Sequence, residues 1–525
     1  MFSPDEEKHP SSRVPSDGEE KHVTVTELFV ESGDGDEALK LVGRERQVHF
    51  SEEYNLRLRK KLDRWIPPLS AAIYFTQFLD KTSLNYASIM GFPIKGQASL
   101  NYNLVSLAFY LGFLTWEFPT VYISQKLRLG KYLGVNVIIW GVILMLQAIT
   151  DSFSAFFALR FLMGMCESCV VPILILIISM FYKKSEQATR VAWFYIMNGL
   201  TTVFGGFVAY GISFYHGRNI APYKIVFLFL GGIAIPLGIC ILLWMPDSPV
   251  HAQFLTKEER IAAIERVRDD QGGTENKKLK PEQVKEAVLD IRNWLILLTA
   301  IQMGIPAGAL SNFSNIIIKS FGYTSKQTLI LSTPGGIIAA VTALLCGWYS
   351  DKKGERVVPI IIAIVPTIIG CAMLIGLNKS GHKGVLLFAI YLAGTFGSTV
   401  STVYAYNASN TGGHTKKLTI NAMTLVTFSV GNIIGAEIFL PKDSPAYIPG
   451  KTAIMTLMTS QFFICILLRS INRRLNKKKQ KQIEEEKVRN NWTDADVQRE
   501  RERHAFLDLT DKQLSQGQII IVYNV

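Results

Sequence analysis

The sequence lacks the short motifs that mark many soluble enzyme sites. No G-x-x-x-x-G-K-[ST] phosphate loop, no H-E-x-x-H metal site and no G-x-S-x-G nucleophile turn occurs among its 525 residues. Nothing therefore indicates ATP hydrolysis, metal-dependent hydrolysis or acyl transfer. We expect neither an enzyme nor a cofactor or metal, so any work that the protein does must draw on a gradient.

Cysteine is scarce, and charge is confined to a few segments. All six cysteines lie within apolar runs, so we predict no structural disulfide. Apolar residues make up 49% of the chain and charged residues only 19%, and the formal charge of +12 comes from short basic clusters between apolar runs. This composition favours a protein that lies in a lipid bilayer, and it argues against nucleic acid as a partner.

Long apolar runs make up most of the sequence. Crossing ~30 Å of hydrocarbon takes ~20 helical residues, and twelve runs of suitable length occur, in two sets of six. The first set covers 65–87, 103–124, 132–150, 153–181, 190–214 and 223–245, and the second covers 293–318, 327–349, 357–377, 384–406, 418–440 and 447–468. We predict an all-α membrane protein with twelve transmembrane helices in two parallel six-helix halves.

Polar segments divide the chain into five predicted parts. Residues 1–64 lack the apolar core of a signal peptide and are predicted to form a disordered cytosolic arm. The first bundle covers 65–245, a partly helical cytosolic linker covers 246–292, the second bundle covers 293–470, and a cytosolic tail covers 471–525. The basic start of the tail is expected to touch anionic lipid headgroups.

Basic residues in short loops predict the orientation. Loops that contain Lys131, Arg190, Lys352 and Lys416 fall on one side of the membrane if the count of spans is correct. That side is the cytosol by the positive-inside rule, which places both termini inside. Asn378 begins an N-x-S sequon that falls on the outer side, where it is a weak candidate for glycosylation.

Ionisable residues within the predicted spans are the first candidates for function, because each costs about 2.5–3.5 kcal/mol to insert. We identify five: Asp80, Lys81, Arg160, Glu167 and Glu437. A rise of ~1.5 Å per residue puts Asp80 and Arg160 at similar depths, ~10 Å from the outer boundary. Glu167 follows Arg160 by two helical turns and shares its face, near the midplane.

Two interpretations of these residues are open. In the functional one, Lys81 or Arg160 attracts a carboxylate substrate, and Glu167 takes up a proton outside and releases it inside, with Asp80 as a second proton-coupling candidate. In the structural one, Asp80, Lys81, Arg160 and Glu167 only neutralise one another and hold two helices together. Glu437 is expected near the outer surface, where exposure costs little.

Polar side chains in the second half offer further candidates for substrate contacts. Asn312 and Tyr404 are the two that we select for hydrogen bonds to the substrate. Membrane helices also use such groups to bind each other, so each residue is weak support on its own.

The loop after the eighth predicted span resembles the signature of the major facilitator superfamily. It places Gly347, Asp351, Lys352, Gly354 and Arg356 in the pattern G-x-x-x-D-[RK]-x-G-x-[RK]. The corresponding loop of the first half keeps Arg128, Gly130 and Lys131 but has Leu127 at the acidic position. The resemblance implies a transporter fold in which this loop takes part in gating.

Other segments resemble the fungal allantoate permease group of anion:cation symporters. They cover 79–87, 159–167 with Pro172, 245–249, 413–417, 445–447 and 508–511. Members of this group carry carboxylates such as allantoate, ureidosuccinate, nicotinate, pantothenate, biotin or cysteine, generally with protons. Lys81 stands where many of them have arginine, so the resemblance does not imply a bidentate carboxylate clamp there. The first span is most similar to the cysteine and short carboxylate or sulfonate carriers.

The resemblance and the intramembrane charges together predict proton-coupled uptake of a small organic anion across the plasma membrane. The expected partners are the anion, the proton and the lipid bilayer. Two other functions remain open, a transporter-like nutrient sensor and a facilitator without proton coupling. The endoplasmic reticulum or the vacuole is the alternative location.

Overall fold

The computed structural model describes residues 50–92, 100–183, 186, 190, 193–194, 196–215, 220–268, 280–353, 355–411, 414–490 and 493. Within these residues all regular elements are helices. The predicted N-terminal arm up to residue 49, the last part of the tail and Gly354 lie outside the described residues.

Seven helices of the first half follow one another along the chain. They are α1 (Glu52–Ser88), α2 (Leu100–Lys126), α3 (Leu129–Leu146), α4 (Phe153–Glu167), α5 (Val170–Phe181), α6 (Met197–Ile212) and α7 (Pro222–Trp244). The shorter helices α8 (Lys257–Arg268) and α9 (Pro281–Leu289) follow within the predicted linker.

The second half continues in the same manner. It contains α10 (Ile291–Ser320), α11 (Ser325–Leu331), α12 (Thr333–Lys353), α13 (Val357–Gly376), α14 (Lys383–Ala393), α15 (Thr399–Asn410), α16 (His414–Ala436) and α17 (Ile448–Asn490). Short 3-10 turns lie at Thr395–Ser398 and Pro441–Asp443.

Ten helical segments in the described part of the chain are long and apolar enough to cross a membrane. The predicted spans 65–87 and 190–214 fall instead on α1 and α6. The solvated start of α1 is rich in charge, and α6 contains only 16 described residues. The predicted span 153–181 is divided into α4 and α5 by a turn at Ser168 and Cys169, directly after Glu167.

Two helices extend beyond the predicted spans. α1 begins at Glu52, inside the segment predicted as a disordered arm, and the Ser51 side chain caps it by accepting a hydrogen bond from the Tyr54 amide. Glu53 and Arg57, one turn apart, add an ion pair of 2.6 Å. α17 continues to Asn490 and so carries the predicted tail away from the bundle as a helix.

In the described residues, the contacts between the two halves are concentrated away from one end of the bundle. We call the end that carries Lys131, Arg190, Lys352, Lys416 and Arg469 the basic end. The contacts between the halves lie from the middle of the bundle to the opposite end, where α1 packs on α10, α2 on α16, and α6 on α11 and α12. Residues of both halves also line a cavity between them.

Neutral groups make the contacts at the opposite end. The Asn85 amide donates to Ser314 Oγ at 2.8 Å, and the Tyr102 hydroxyl donates to the Asn312 carbonyl at 2.8 Å. Nearer the middle, a Cβ atom on Gly199 of α6 would lie 2.6 Å from the Gly336 carbonyl of α12. Only glycine permits this close approach of two helix backbones.

Ion pairs at the basic end join the linker helices to the halves. Lys61 of α1 binds Glu259 of α8 at 2.7 Å, whereas Lys416 of α16 binds Glu286 of α9 at 2.9 Å. Burial raises the pKa of Asp290, but the neighbouring Arg292 and Lys416 outweigh burial and hold this pKa below its ordinary value. Each linker helix is therefore fastened to one half.

Candidate functional site

The cavity between the halves has a volume of about 380 Å³. Aromatic side chains such as Phe78, Tyr110 and Phe113 line it from the first half, and hydroxyl and amide groups such as Asn432 line it from the second. Among its described lining residues, Lys81 is the sole lysine or arginine and Glu167 is the sole carboxylic acid. The cavity thus presents one cation and one acid in a mostly apolar wall, as small-molecule sites commonly do.

Lys81 reaches the cavity from α1, one residue after Asp80. Its ammonium group lies 5.2 Å from the centre of the Tyr110 ring and 6.0 Å from that of Phe78, both within reach of a cation–π contact. No salt bridge to Lys81 occurs within the described part of the chain. The half-buried ammonium group is therefore oriented by aromatic faces and is available to an anion in the cavity.

Glu167 closes the C-terminal end of α4 and is fully buried. Neither of its carboxylate oxygens has a hydrogen-bond partner among the described residues. Its backbone carbonyl, in contrast, accepts a hydrogen bond of 3.1 Å from the Gln77 side chain of α1. Packing thus fixes the position of the residue but leaves the carboxyl group unsatisfied, as suits a group that binds and releases a proton.

Asp80 and Arg160 lie behind the cavity wall instead of on it. Both are buried, and they lie near each other, which is compatible with the similar depths predicted for them. The Arg160 guanidinium donates to Ser83 Oγ at 3.1 Å and lies over the Phe227 ring, while the oxygens of Asp80 have no hydrogen-bond partner in the described residues. The structure therefore places Lys81 and Glu167 at the cavity and places Asp80 and Arg160 behind its wall.

The two polar candidates of the second half lie in different environments. Tyr404 lines the cavity, whereas Asn312 does not. Asn312 instead lies between α2 and α10, where its side chain donates to the Gly308 carbonyl at 2.7 Å and its own carbonyl binds Tyr102. Its position suits a contact between the halves better than a contact with a substrate.

Comparison with known proteins identifies the family of this fold. A sequence model of the Major Facilitator Superfamily matches residues 71–436. The chain belongs to this superfamily. Its relatives include the thiamine pathway transporter of Saccharomyces cerevisiae, 32% identical over 484 residues, with coverage of 92% of this chain and 89% of the relative. The allantoate permease of the same yeast is 32% identical over 462 residues, with coverage of 85% and 84%.

Solved structures agree with this fold. A partially occluded, inward-open structure of the E. coli xylose transporter superposes with a TM-score of 0.57 at 13% identity and covers 76% of this chain and 97% of that one. The protein is thus a multi-pass membrane transporter of the major facilitator superfamily, and not an enzyme. The predicted fold and the predicted allantoate permease group are confirmed.

The superfamily loop joins α12 to α13 at the basic end. Gly347 has open space around its Cα, and Lys352 lies over the Trp348 ring at 4.8 Å. Arg356 donates to Ser350 Oγ at 2.6 Å. The side chain of Asp351 lies outside the described residues, as does Gly354.

Two further predicted residues lie at the opposite end. Asn378 follows the end of α13 in a half-buried loop. Glu437 directly follows α16 and is half-buried, with one oxygen that has no partner among the described residues. Neither lines the cavity.

Sequence reasoning missed two buried ionisable residues. Glu117 of α2 is 5% exposed and Lys451 of α17 is 2% exposed, and the charged atoms of both lack hydrogen-bond partners in the described residues. The signal that could have identified them was present, because each lies inside a predicted span (103–124 and 447–468). The rule that selected Asp80 and Glu167 selects them equally.

Proposed function

We propose that this protein takes up a small organic monoanion together with protons. The observation that carries the proposal is the pairing of one available cation, Lys81, with one unsatisfied acid, Glu167, in the same cavity wall. A transporter that couples an anion to protons needs both a counter-charge for the anion and a group that exchanges protons with water. The described wall offers no second cation for a dianion.

Lys81 provides the counter-charge. A carboxylate or sulfonate in the cavity replaces the missing ion-pair partner of its ammonium group, while Phe78 and Tyr110 keep that group in place. The neutral body of the substrate meets aromatic faces of the first half, and Tyr404 and Asn432 of the second half supply hydrogen-bonding groups. Contacts from both halves allow the bound anion to favour their closure.

Glu167 provides proton coupling. When its carboxylate is charged, Lys81 and Arg160 are the nearby cations that attract it. When Glu167 binds a proton, Lys81 loses this competitor and can hold the substrate anion instead. Proton binding therefore favours anion binding, and release of the proton on the other side favours release of the anion.

Asp80 and Arg160 support the pair from behind. Arg160 does not line the cavity, so we assign it to its hydrogen bond with Ser83 and to its position near Asp80, and not to the substrate. Its positive charge keeps Asp80 from being an isolated buried anion. This role unites the two interpretations of the sequence: the deeper pair is structural, and the cavity pair is functional.

The proposal includes the membrane, which is the plasma membrane, and the direction of transport, which is into the cytosol. The basic end faces the cytosol by the positive-inside rule, so the conformation described here is open to the cytosol. Uptake across the plasma membrane uses the inward proton gradient. The thiamine pathway transporter and allantoate permease differ in their named pathway or substrate, so the carboxylate, sulfonate, amino acid or vitamin-like acid has to be found by assay.

The test is uptake in a yeast strain that lacks its own relatives of this protein. Labelled allantoate, nicotinate, pantothenate, biotin, cysteine and short carboxylates and sulfonates are offered at pH 5 and pH 7. We expect uptake of one anion, stronger at pH 5 and abolished by a protonophore. Lys81→Gln raises its KM by about 10- to 100-fold, since a charge-assisted contact contributes about 1.5–3 kcal/mol.

Two variants make this test specific. Lys60→Gln removes an exposed lysine of the same helix and leaves uptake unchanged. Glu167→Gln weakens the dependence of uptake on pH. No uptake of any panel member by protein that reaches the cell surface would contradict the proposal and favour a nutrient sensor.

A further inference from the structure

Glu117 is a buried acid that has no role in the proposed function of Lys81 and Glu167. It lies in α2, 5% exposed, and neither carboxylate oxygen has a hydrogen-bond partner among the described residues. An isolated carboxylate away from water is far more costly than a neutral carboxylic acid. In the conformation described here, the side chain therefore holds a proton.

Glu117 lies at nearly the same depth as Glu167. Gly112 of α2 and Gly164 of α4 mark the crossing of these parallel helices, because a Cβ atom on either would lie 2.0 Å from a backbone carbonyl oxygen of the other helix. Glu117 follows Gly112 by five residues, and Glu167 follows Gly164 by three. At ~1.5 Å per residue the two acids differ by ~3 Å in depth.

The face of α2 that carries Glu117 is the face turned toward the second half. Glu117 follows Phe113 by one turn and Tyr110 by two, and both of these residues line the cavity. Tyr110 also contacts Ser311 of α10 at 3.0 Å. Glu117 thus continues the cavity face toward the basic end, although its own side chain is buried and does not line the cavity.

The other ionisable groups of the helices packed on α2 are engaged elsewhere. On α4, Glu167 lines the cavity and Arg160 binds Ser83. On α3, the Tyr132 hydroxyl is hydrogen-bonded to Thr120, and on α16 Lys416 is bound to Glu286. No hydrogen bond in the described residues joins the Glu117 carboxyl group to a charged side chain.

Cys166 is the remaining ionisable neighbour on α4, and it lies beside Glu167. Lys131 at the start of α3 donates to the Leu242 carbonyl. Neither supplies a counter-charge to Glu117. Its charge state is therefore set by its access to water, which changes when the halves exchange contacts.

We propose that Glu117 carries a second proton in each transport cycle. This inference rests on the proposed function. The carboxylate takes a proton from water on the outer side when that side is open, remains a neutral acid while it is buried as described here, and returns the proton when movement of the halves brings water from the basic end to it. With the proton on Glu167, two protons then accompany one monoanion, and the cycle moves one net positive charge inward.

The protonated acid is tested first by infrared spectroscopy on the full-length protein in lipid nanodiscs. We expect a carbonyl band of a protonated carboxylic acid that disappears in Glu117→Gln and persists in Lys60→Gln. The band should also persist in Glu167→Gln, apart from the component that belongs to Glu167. Superimposable spectra of wild type and Glu117→Gln would overturn the proposal, and this measurement needs no substrate.

The number of protons is tested in proteoliposomes with the membrane voltage clamped at zero. The probe is whichever labelled anion of the uptake panel the wild-type protein accumulates. Each coupled proton multiplies the equilibrium accumulation ratio by about tenfold per pH unit across the membrane. We expect about 100-fold per unit for wild type, about tenfold for Glu117→Gln, and about 100-fold again for Glu117→Asp.

The outcomes separate the two proposals. Equal ratios for wild type and Glu117→Gln would overturn the role of Glu117 even if proton coupling holds. No dependence on the pH gradient in wild type would contradict the proposed function itself. If Glu117→Gln were poorly folded, Glu117→Asp and the infrared spectrum of wild type would still decide.

Discussion

At the basic end, the described ion pairs join each linker helix to one half. At the opposite end neutral hydrogen bonds join one half to the other, and nearer the middle the halves meet through a close backbone contact. The difference assigns a separate task to each end. Ion pairs fasten each linker helix to its own half and keep the halves rigid. Neutral contacts between the halves are weaker individually and are suited to forming and breaking in each cycle.

The largest expected effect comes from filling a contact between the halves. Gly199→Val places a side chain where a Cβ atom already lies 2.6 Å from the Gly336 carbonyl, so α6 and α12 must separate. We expect loss of transport with normal delivery to the membrane. Gly211→Val is the matched control on the same helix, because nothing lies within 4 Å of its Cβ position. Equal activity of the two variants would show that the close contact is dispensable.

A large effect of a different kind is expected from breaking a buried ion pair at the basic end. Lys416→Met leaves Glu286 without its 2.9 Å partner, and the two side chains are only 1% and 12% exposed. Removal of one partner of such a pair costs about 3 kcal/mol. Thermal unfolding of purified protein should show a lower Tm, with the preference for the conformation open at the basic end unchanged. Lys481→Met, in an exposed pair, should have no measurable effect.

A smaller effect on the balance of conformations is expected at the opposite end. Tyr102→Phe removes one hydrogen bond between the halves, worth about 1 kcal/mol, so the ratio of the two conformations shifts about fivefold. The measurement is labelling of a cysteine at Ala343, in the cavity wall, by a reagent added at the basic end. Tyr223→Phe loses a hydrogen bond to Asp151 at the same end but within one half. The same shift in both variants would contradict the comparison.

The smallest effect concerns the pH dependence of stability. The folded pKa of Asp290 lies below its ordinary value, so its contribution is present above the unfolded value of about 3.9 and is lost as the pH falls through the folded pKa. We expect the Tm difference between wild type and Lys416→Met to be equal at pH 7 and pH 5. If this Tm difference were not the same at pH 5 and pH 7, uptake measured at these two pH values would also report on the stability of the protein.

The sequence predicts the helices well because hydropathy is a local property. Apolar runs and loop charges are sufficient to locate most spans. The early start of α1 is not visible in the same way, since it depends on partners distant in sequence: Asp63 binds Arg190 at 2.6 Å, and Lys61 binds Glu259. Such pairs turn a charged, soluble segment into part of the folded bundle.

The candidate site was predictable in kind but not in arrangement. Intramembrane charge identified Asp80, Lys81, Arg160 and Glu167, yet adjacent helical residues point ~100° apart, and only packing shows which one faces the cavity. Asp80 and Lys81 are neighbours in sequence but lie on different sides of the wall. Whether Asn312 faced the substrate or another helix depended equally on contacts between the halves.

The central claim is that Glu167 couples the anion to the proton, and proteoliposomes test it most directly. Wild type and Glu167→Gln are compared for accumulation of the panel anion under a pH gradient, and for exchange of labelled against unlabelled anion without a gradient. We predict that Glu167→Gln still exchanges the anion but has lost the coupled proton that Glu167 carries. Its equilibrium accumulation ratio per pH unit is therefore at least tenfold lower than that of wild type. Accumulation equal to that of wild type would contradict the account.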